Sequence, residues 1–386
     1  MTAHSDHPLN FRQRETKFVM ERWRAAQSVS LVGVGSVGKS NLLGHLTARS
    51  VQEHYLGEIA AGDQFRAVHL DPFLMAALRP DADLPLRFWA GYELMIHRLY
   101  LAFQPFEVLG ERDRKVFYET YQAFQDGTNP IYQYLGLRYF EFGLELFMQR
   151  GVRIVFVFDE FEAFLRQLPL QFFLSLRGLR DAHKKQLAFT TFTRAPLLET
   201  AVSLGYAAGE IEPFIELFTD SVCYVGGYSD EDARDMLSRL IARKGKSYDA
   251  QAQAFLIRAS GGFAGLLRAS AEVFDRIHAG AVTPDVLDAN RDMWTRALAE
   301  QEPVRAECAT IFTSLNASEH AVLKVVAHGG LQNIIATEAG RSAFGSLERK
   351  GLLRQVGMMP RIHPPILAAY LQAVLEHFTP ADAPSI

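Results

Sequence analysis

The feature that most constrains this fold lies at residues 28–46. There an apolar run, Val29 to Val32, breaks into a glycine-rich turn and then into a helical pattern with Leu42, Leu43 and Leu46 on one face. The turn, Gly33-Val34-Gly35-Ser36-Val37-Gly38-Lys39-Ser40, matches the phosphate-loop pattern G-x-x-x-x-G-K-[ST] in full. Strand, turn and helix in that order give the pattern its meaning. Glycines let successive backbone N–H groups turn inward on a polyphosphate, and the following helix adds its positive N-terminal end. Lys39 is spaced to reach the β- and γ-phosphates, and the Ser40 hydroxyl to ligate Mg²⁺. A glycine-rich turn with a chance lysine is the bland alternative, and the flanking elements argue against it. The expected cofactors are ATP or ADP with Mg²⁺, bound by Gly33, Gly35, Ser36, Val37, Gly38, Lys39, Ser40 and Asn41.

A second motif belongs with the first. In G-V-R-I-V-F-V-F-D-E-F (residues 151–161), five apolar residues run straight into Asp159-Glu160. A continuous β-branched and aromatic run is the pattern of a central parallel strand buried on both faces. Carboxylates at its C-terminal end face the crevice where α/β sheets bind ligands. Beside a phosphate loop this reads as a Walker B strand, with Asp159 holding the metal and Glu160 polarising the attacking water. Glu162 reads as surface. A further strand, Q-L-A-F-T-T-F-T-R (186–194), is expected between the two motif strands, which makes Arg194, or the neighbouring Thr193, the candidate γ-phosphate sensor.

At 386 residues the chain has room for two or three domains. Its 48% apolar and 22% charged content are those of a soluble globular protein, and a net charge of −4 argues against a globally basic nucleic-acid coat. Cys223 and Cys308 lie far apart in no metal-like spacing and read as reduced and structural. No apolar run approaches the roughly 20 residues a bilayer needs, and the first residues lack a signal-peptide pattern, so a cytoplasmic location without membrane attachment is expected.

Residues 65–71 read as a second strand. Residues 86–103 and 132–148 read as aromatic-striped core helices, and 105–130 as an insertion or surface helix. After a last short strand at 222–225, Ser229 opens helical periodicity that continues to about 299. From about 314 the pattern changes to two or three helices, the first capped by Ser318, then a strand after Gly351, a returning strand and a last helix to about Phe378. That order describes a winged helix. The expected fold is α/β, a P-loop NTPase parallel-sheet core (1–227) with a helical lid (228–300) and a C-terminal winged helix (301–386).

Taken together, these residues resemble the STAND branch of AAA-type ATPases, which are signal-transducing switches related to origin-recognition and immune-receptor ATPases. F-R-Q-R-E (11–15) resembles that group's Gly-Arg-Glu motif, with Arg14 and Glu15 in the matching places and Gln13 for glycine. The resemblance implies a nucleotide contact for Arg14 and a sensor role for Arg194, the latter through F-T-T-F-T-R. A-S-G-G-F-A-G-L-L-R-A (259–269) resembles the lid segment Gly-Gly-His-Pro-x-Leu-Leu, with Phe263 and Ala264 replacing His and Pro and Arg268 a candidate second sensor. Arg177 and Arg180 are candidates for trans-acting groups, with a solvated helix face as the other reading.

Two functions stay open at this point. One is a nucleotide-driven switch with slow turnover and a protein partner or self-association, in which Lys39, Glu160 and Arg194 carry catalysis and Ser40 and Asp159 hold the metal. The other is a loader or regulator that engages DNA through the winged helix. For that, residues 316–386 offer six Lys/Arg against five Asp/Glu, although Arg349, Lys350 and Arg354 cluster. A catalytically idle scaffold ranks lower, because both carboxylates are present.

Overall fold

The computed structural model describes residues 7–76, 82–125, 131, 134–243, 245, 248–278, 287, 289–328, 337–357 and 359–375. The chain divides into two compact units, one of residues 1–32 and 40–223 and the other of residues 33–39 and 224–386.

The first unit is built on a five-stranded sheet: β1 Val29–Val32, β2 Phe65–Leu70, β3 Arg153–Phe158, β4 Leu187–Thr193 and β5 Val222–Tyr224. The strands run in the order β2-β3-β4-β1-β5, and the β2–β3, β3–β4 and β4–β1 pairs are parallel. β4 therefore separates the two motif strands, as the sequence led us to expect. Every residue of β1 and β4 is buried, Ser30 and the β4 threonines included, and so are the last five of β3, which accounts for the unbroken apolar run of that strand.

The helices of this unit are α1 Gln13–Arg24, α2 Lys39–Thr47, α3 Arg49–Leu56, α4 Leu84–Phe103, α5 Glu111–Phe124, α6 Gly136–Met148, α7 Phe161–Gln167, α8 Leu170–Ala182, α9 Leu197–Ser203 and α10 Ala208–Ile215, with α2 beginning at the unit boundary. They pack largely through aromatic rings. Phe103 meets Phe147 at 4.5 Å, Phe117 meets Phe147 at 5.1 Å, and Phe161 meets Phe173 at 5.5 Å. The segment expected as an insertion or surface helix is α5, and it is part of this core: Phe117 and Phe124 are fully buried. Its polar residues had masked an apolar stripe. The first helical residues expected at Tyr132 lie outside the described residues. On the other face of the sheet, the buried Trp23 indole of α1 donates to Thr190 Oγ1 of β4 at 2.8 Å.

The second unit holds α11 Asp230–Arg243, α12 Ala250–Ser260, α13 Ala264–His278, α14 Arg291–Ala299, α15 Glu302–Thr313, α16 Ala317–Ala327, α17 Glu338–Arg349 and α18 Pro365–Leu375, with an antiparallel hairpin of β6 Leu353–Val356 and β7 Met359–Ile362 before α18. Ser229 accepts the Asp232 N–H at 3.1 Å and so starts α11 as expected. The cap of α16 is Asn316 and not Ser318. Asn316 Oδ1 accepts the Glu319 N–H at 2.8 Å while Glu319 Oε2 accepts the Asn316 N–H at 3.1 Å, a reciprocal capping box. Glu319 also accepts from Lys350 Nζ at 2.6 Å and from Ser346 Oγ at 2.7 Å, with both charged side chains fully buried. The end of the last helix, expected near Phe378, lies outside the described residues. Among the described residues no helix is long and apolar enough to cross a membrane.

Candidate functional site

The phosphate loop turns directly out of β1, and α2 starts at Lys39. Its shape demands small residues. Gly38 sits at φ +93°, where a side chain is strained, and a Cβ there would lie 2.9 Å from Tyr228 Oη and 3.1 Å from Ala264 Cβ. A Cβ on Gly33 would fall 3.0 Å from the Val225 carbonyl oxygen, and one on Gly35 would fall 2.7 Å from Thr310 Cγ2. Ser36 takes a left-handed φ of +62° without being glycine. Lys39 folds over its own loop, donating from Nζ to the Gly33 carbonyl at 2.6 Å and to that of Val34 at 3.1 Å. Val37 is buried, while Ser40 and Asn41 are exposed at the start of α2.

In the first unit, the carboxyl edge of the sheet gathers the other candidates. Asp159 follows β3, its N–H bonded to the Leu70 carbonyl at 2.9 Å and its Oδ1 accepting the Glu160 N–H at 2.9 Å. Glu160 opens α7 at φ +39° and ψ 54°, a left-handed conformation that costs a non-glycine residue on the order of 1 kcal/mol. Held there, its half-exposed carboxylate lies 3.9 Å from Arg194 Nη2. The Arg194 N–H donates to Glu162 Oε1 at 2.5 Å, so Glu162, read as surface, fastens the end of β4. Thr193 pairs in register with Val32, the last residue of β1, and its buried Oγ1 has no hydrogen-bond partner among the described residues. His69 lies next to this edge. Burial pushes its imidazole below the ordinary value, and the Asp159 carboxylate opposes that shift.

Other candidates are placed differently. Arg14 is three-quarters exposed and bonds Glu15 Oε1 at 2.9 Å, whereas Arg12 is the buried arginine of the F-R-Q-R-E segment. Arg177 is engaged by Asp181 at 2.8 Å and Glu216 at 3.3 Å, and Arg180 donates to the Ala26 carbonyl at 3.2 Å. Both therefore have partners within this unit. Of the basic cluster, Lys350 is buried on Glu319, while Arg349, 4.7 Å over the Tyr224 ring, and Arg354 on β6 are exposed.

For a metal, the expected donors are a serine hydroxyl and a carboxylate. These hard oxygens suit Mg²⁺, which takes few protein ligands and completes its shell with water and phosphate. Among the described residues no group of three or more His, Cys, Asp or Glu side chains forms a protein-only metal cage.

Glu307, Thr310 and Ser314 of the second unit also meet the loop. The Ser36 hydroxyl bonds Glu307, and the Gly35 N–H donates to Ser314 Oγ at 3.3 Å. Sequence spacing gave no sign of them, because they lie some 270 residues away from their partners.

No model of a known protein family matches the chain, and no curated protein matches it in sequence. Solved structures do. A Walker-type ATPase of Pyrococcus abyssi is similar at a TM-score of 0.51 and 13% identity, over 94% of this chain and 95% of that one. Cdc6p of Pyrobaculum aerophilum gives 0.41 and 12%, over 97% and 96%, and the RuvB branch-migration motor of Thermotoga maritima gives 0.39 and 10%, over 95% and 94%. The last two are too distant to add to the argument. The first shows the fold alone, the parallel-sheet fold of a Walker-type ATPase.

Proposed function

We propose that the chain is an ATP-binding, slowly hydrolysing switch of the STAND type. The observation that carries this reading is the strand order. The loop with Lys39 leaves β1, Asp159-Glu160 leaves β3, and β4 lies between them with Thr193 and Arg194 at its tip. In this reading Gly33, Gly35, Ser36, Val37, Gly38 and Asn41 line the polyphosphate, and Lys39 reaches its β- and γ-oxygens. Ser40 and Asp159 hold Mg²⁺, which supplies charge neutralisation at the phosphates when bound. Glu160 takes a proton from the attacking water, and Arg194, 3.9 Å from it, ties that carboxylate to the γ-phosphate end. Thr193 brings a buried hydroxyl to the same edge. Arg14 is kept as a weaker nucleotide contact.

The proposed parts are a core of 1–227, a helical lid of 228–300 and a winged helix of 301–386, with nucleotide state governing association with a protein partner or a second copy. The burial of Lys350 on Glu319, which leaves Arg349 and Arg354 as the exposed members of the basic cluster, weighs against the DNA-loading reading. It leaves the winged helix as a protein-docking module.

The test is a pair of variants. Lys39→Ala is expected to abolish binding of MgATP measured by calorimetry. Glu160→Gln is expected to bind as the unaltered chain does while phosphate release falls by about 100-fold or more. ATP binding that survives Lys39→Ala unchanged would overturn the site.

A further inference from the structure

One carboxylate that ATP binding does not use is bonded to the phosphate loop itself. The Ser36 hydroxyl donates to Glu307 Oε2, and Arg268 Nη2 donates to Glu307 Oε1 at 2.9 Å. Each oxygen of the carboxylate thus has its own donor, one from the loop and one from α13. The backbone joins the same meeting point, where the Gly265 N–H donates to the Ser36 carbonyl at 2.8 Å. Gly265 leaves no slack there: a Cβ on it would lie 2.8 Å from both Glu307 Cδ and Ser36 Cβ. One turn further along α15, Thr310 closes on Gly35.

An arginine–glutamate pair on a surface needs no functional account, because such pairs contribute little. Glu307 differs from that case in two respects. Its side chain is only 20% exposed, against 55% for Arg268, and its second oxygen is held by a residue of the anion-binding loop. A loop made to bind phosphate oxygens is thereby holding a carboxylate oxygen of its own chain. A triphosphate and a carboxylate cannot occupy neighbouring positions there without strong like-charge repulsion.

We propose that Glu307 is a resident anion of the phosphate loop: its carboxylate takes the Ser36 and Arg268 donors that nucleotide phosphate oxygens would take, so a triphosphate binds only by displacing it, and α15 with it. The proposal rests on the ATP-binding reading of the loop. It makes α15 the element through which the second unit registers nucleotide, and it gives Arg268 a role in both states, on Glu307 before displacement and on phosphate after it.

The experiment titrates the full chain with Mg²⁺ and a fluorescent non-hydrolysable ATP analogue, comparing the unaltered protein with Glu307→Gln and Glu307→Ala. Glutamine keeps the shape and hydrogen bonding of the side chain and removes only its charge. Both variants are expected to bind on the order of tenfold more tightly, the scale of lifting one like charge from a partly buried anion site. Amide hydrogen exchange on the unaltered chain requires no substitution. There, residues 302–313 are expected to exchange faster when the analogue is added. Affinity that is equal or weaker in both variants, or exchange in 302–313 that the analogue leaves unchanged, would overturn the resident anion and leave ATP binding standing. Absence of binding by all three chains would overturn both.

Discussion

Burial pushes the His363 imidazole down to about 4, with the Arg354 guanidinium adding to the shift and a hydrogen bond at the Gly261 backbone opposing it. A folded chain that refuses a proton which the unfolded chain accepts gains stability as pH rises. That contribution is whole above about pH 6.5, the ordinary value for histidine, and is lost progressively as pH falls toward 4. At full size it comes to about 3 kcal/mol. Thermal unfolding followed from pH 7 to pH 4 is expected to show this loss, and His363→Gln to flatten the slope within that window. Legibility differs sharply among residues at this scale. Lys39, Ser40, Asp159 and Glu160 stand out in the sequence because phosphate chemistry demands fixed residue types at short spacing. Glu307 does not, because a contact made across 271 positions leaves no local pattern. Sequence alone does not tell which of the two neighbouring arginines, Arg12 or Arg14, a helix start will bury, and it is Arg12.

Among the elements, α16 and α17 are held together by a charge pair with no access to water. Glu319 both closes the capping box of α16 and takes Lys350 from the end of α17, each side chain 0% exposed. Removing one partner strands the other. Lys350→Met is expected to cost about 3–5 kcal/mol in denaturant unfolding, because the Glu319 carboxylate is left buried without its cation. The double change Glu319→Gln with Lys350→Met is expected to recover most of that, since glutamine keeps the cap and removes the orphaned charge. A double variant as unstable as the sum of the singles would show that the two side chains act independently. The elements themselves were mostly readable, because apolar runs and 3.6-residue stripes survive in a single sequence. Caps were less so. Ser318 and Asn316 are both good cap residues, and only the reciprocal bond from Glu319 selects the earlier one.

For the whole molecule, the central order β3-β4-β1 was inferable from two motifs and a sensor strand between them, whereas the outer places of β2 and β5 had no signal in the sequence. The division of the chain was not. Residues 33–39 follow β1 in sequence yet group with residues 224–386, through bonds such as those from Gly265 to Ser36 and from Gly35 to Ser314. Hydrophobic pattern reports burial without naming the partner, so nothing in a linear reading assigns that loop to the later half of the chain.

The Trp23–Thr190 hydrogen bond gives the molecule an optical sensor of its own. The indole is shielded from solvent and fastened to β4 three positions before Thr193. The chain has only three tryptophans, so with Trp89 and Trp294 replaced by phenylalanine all indole emission would come from this one ring. Its colour and brightness would then follow the strand whose tip meets the γ-phosphate in the proposed switch, with no dye attached to the protein.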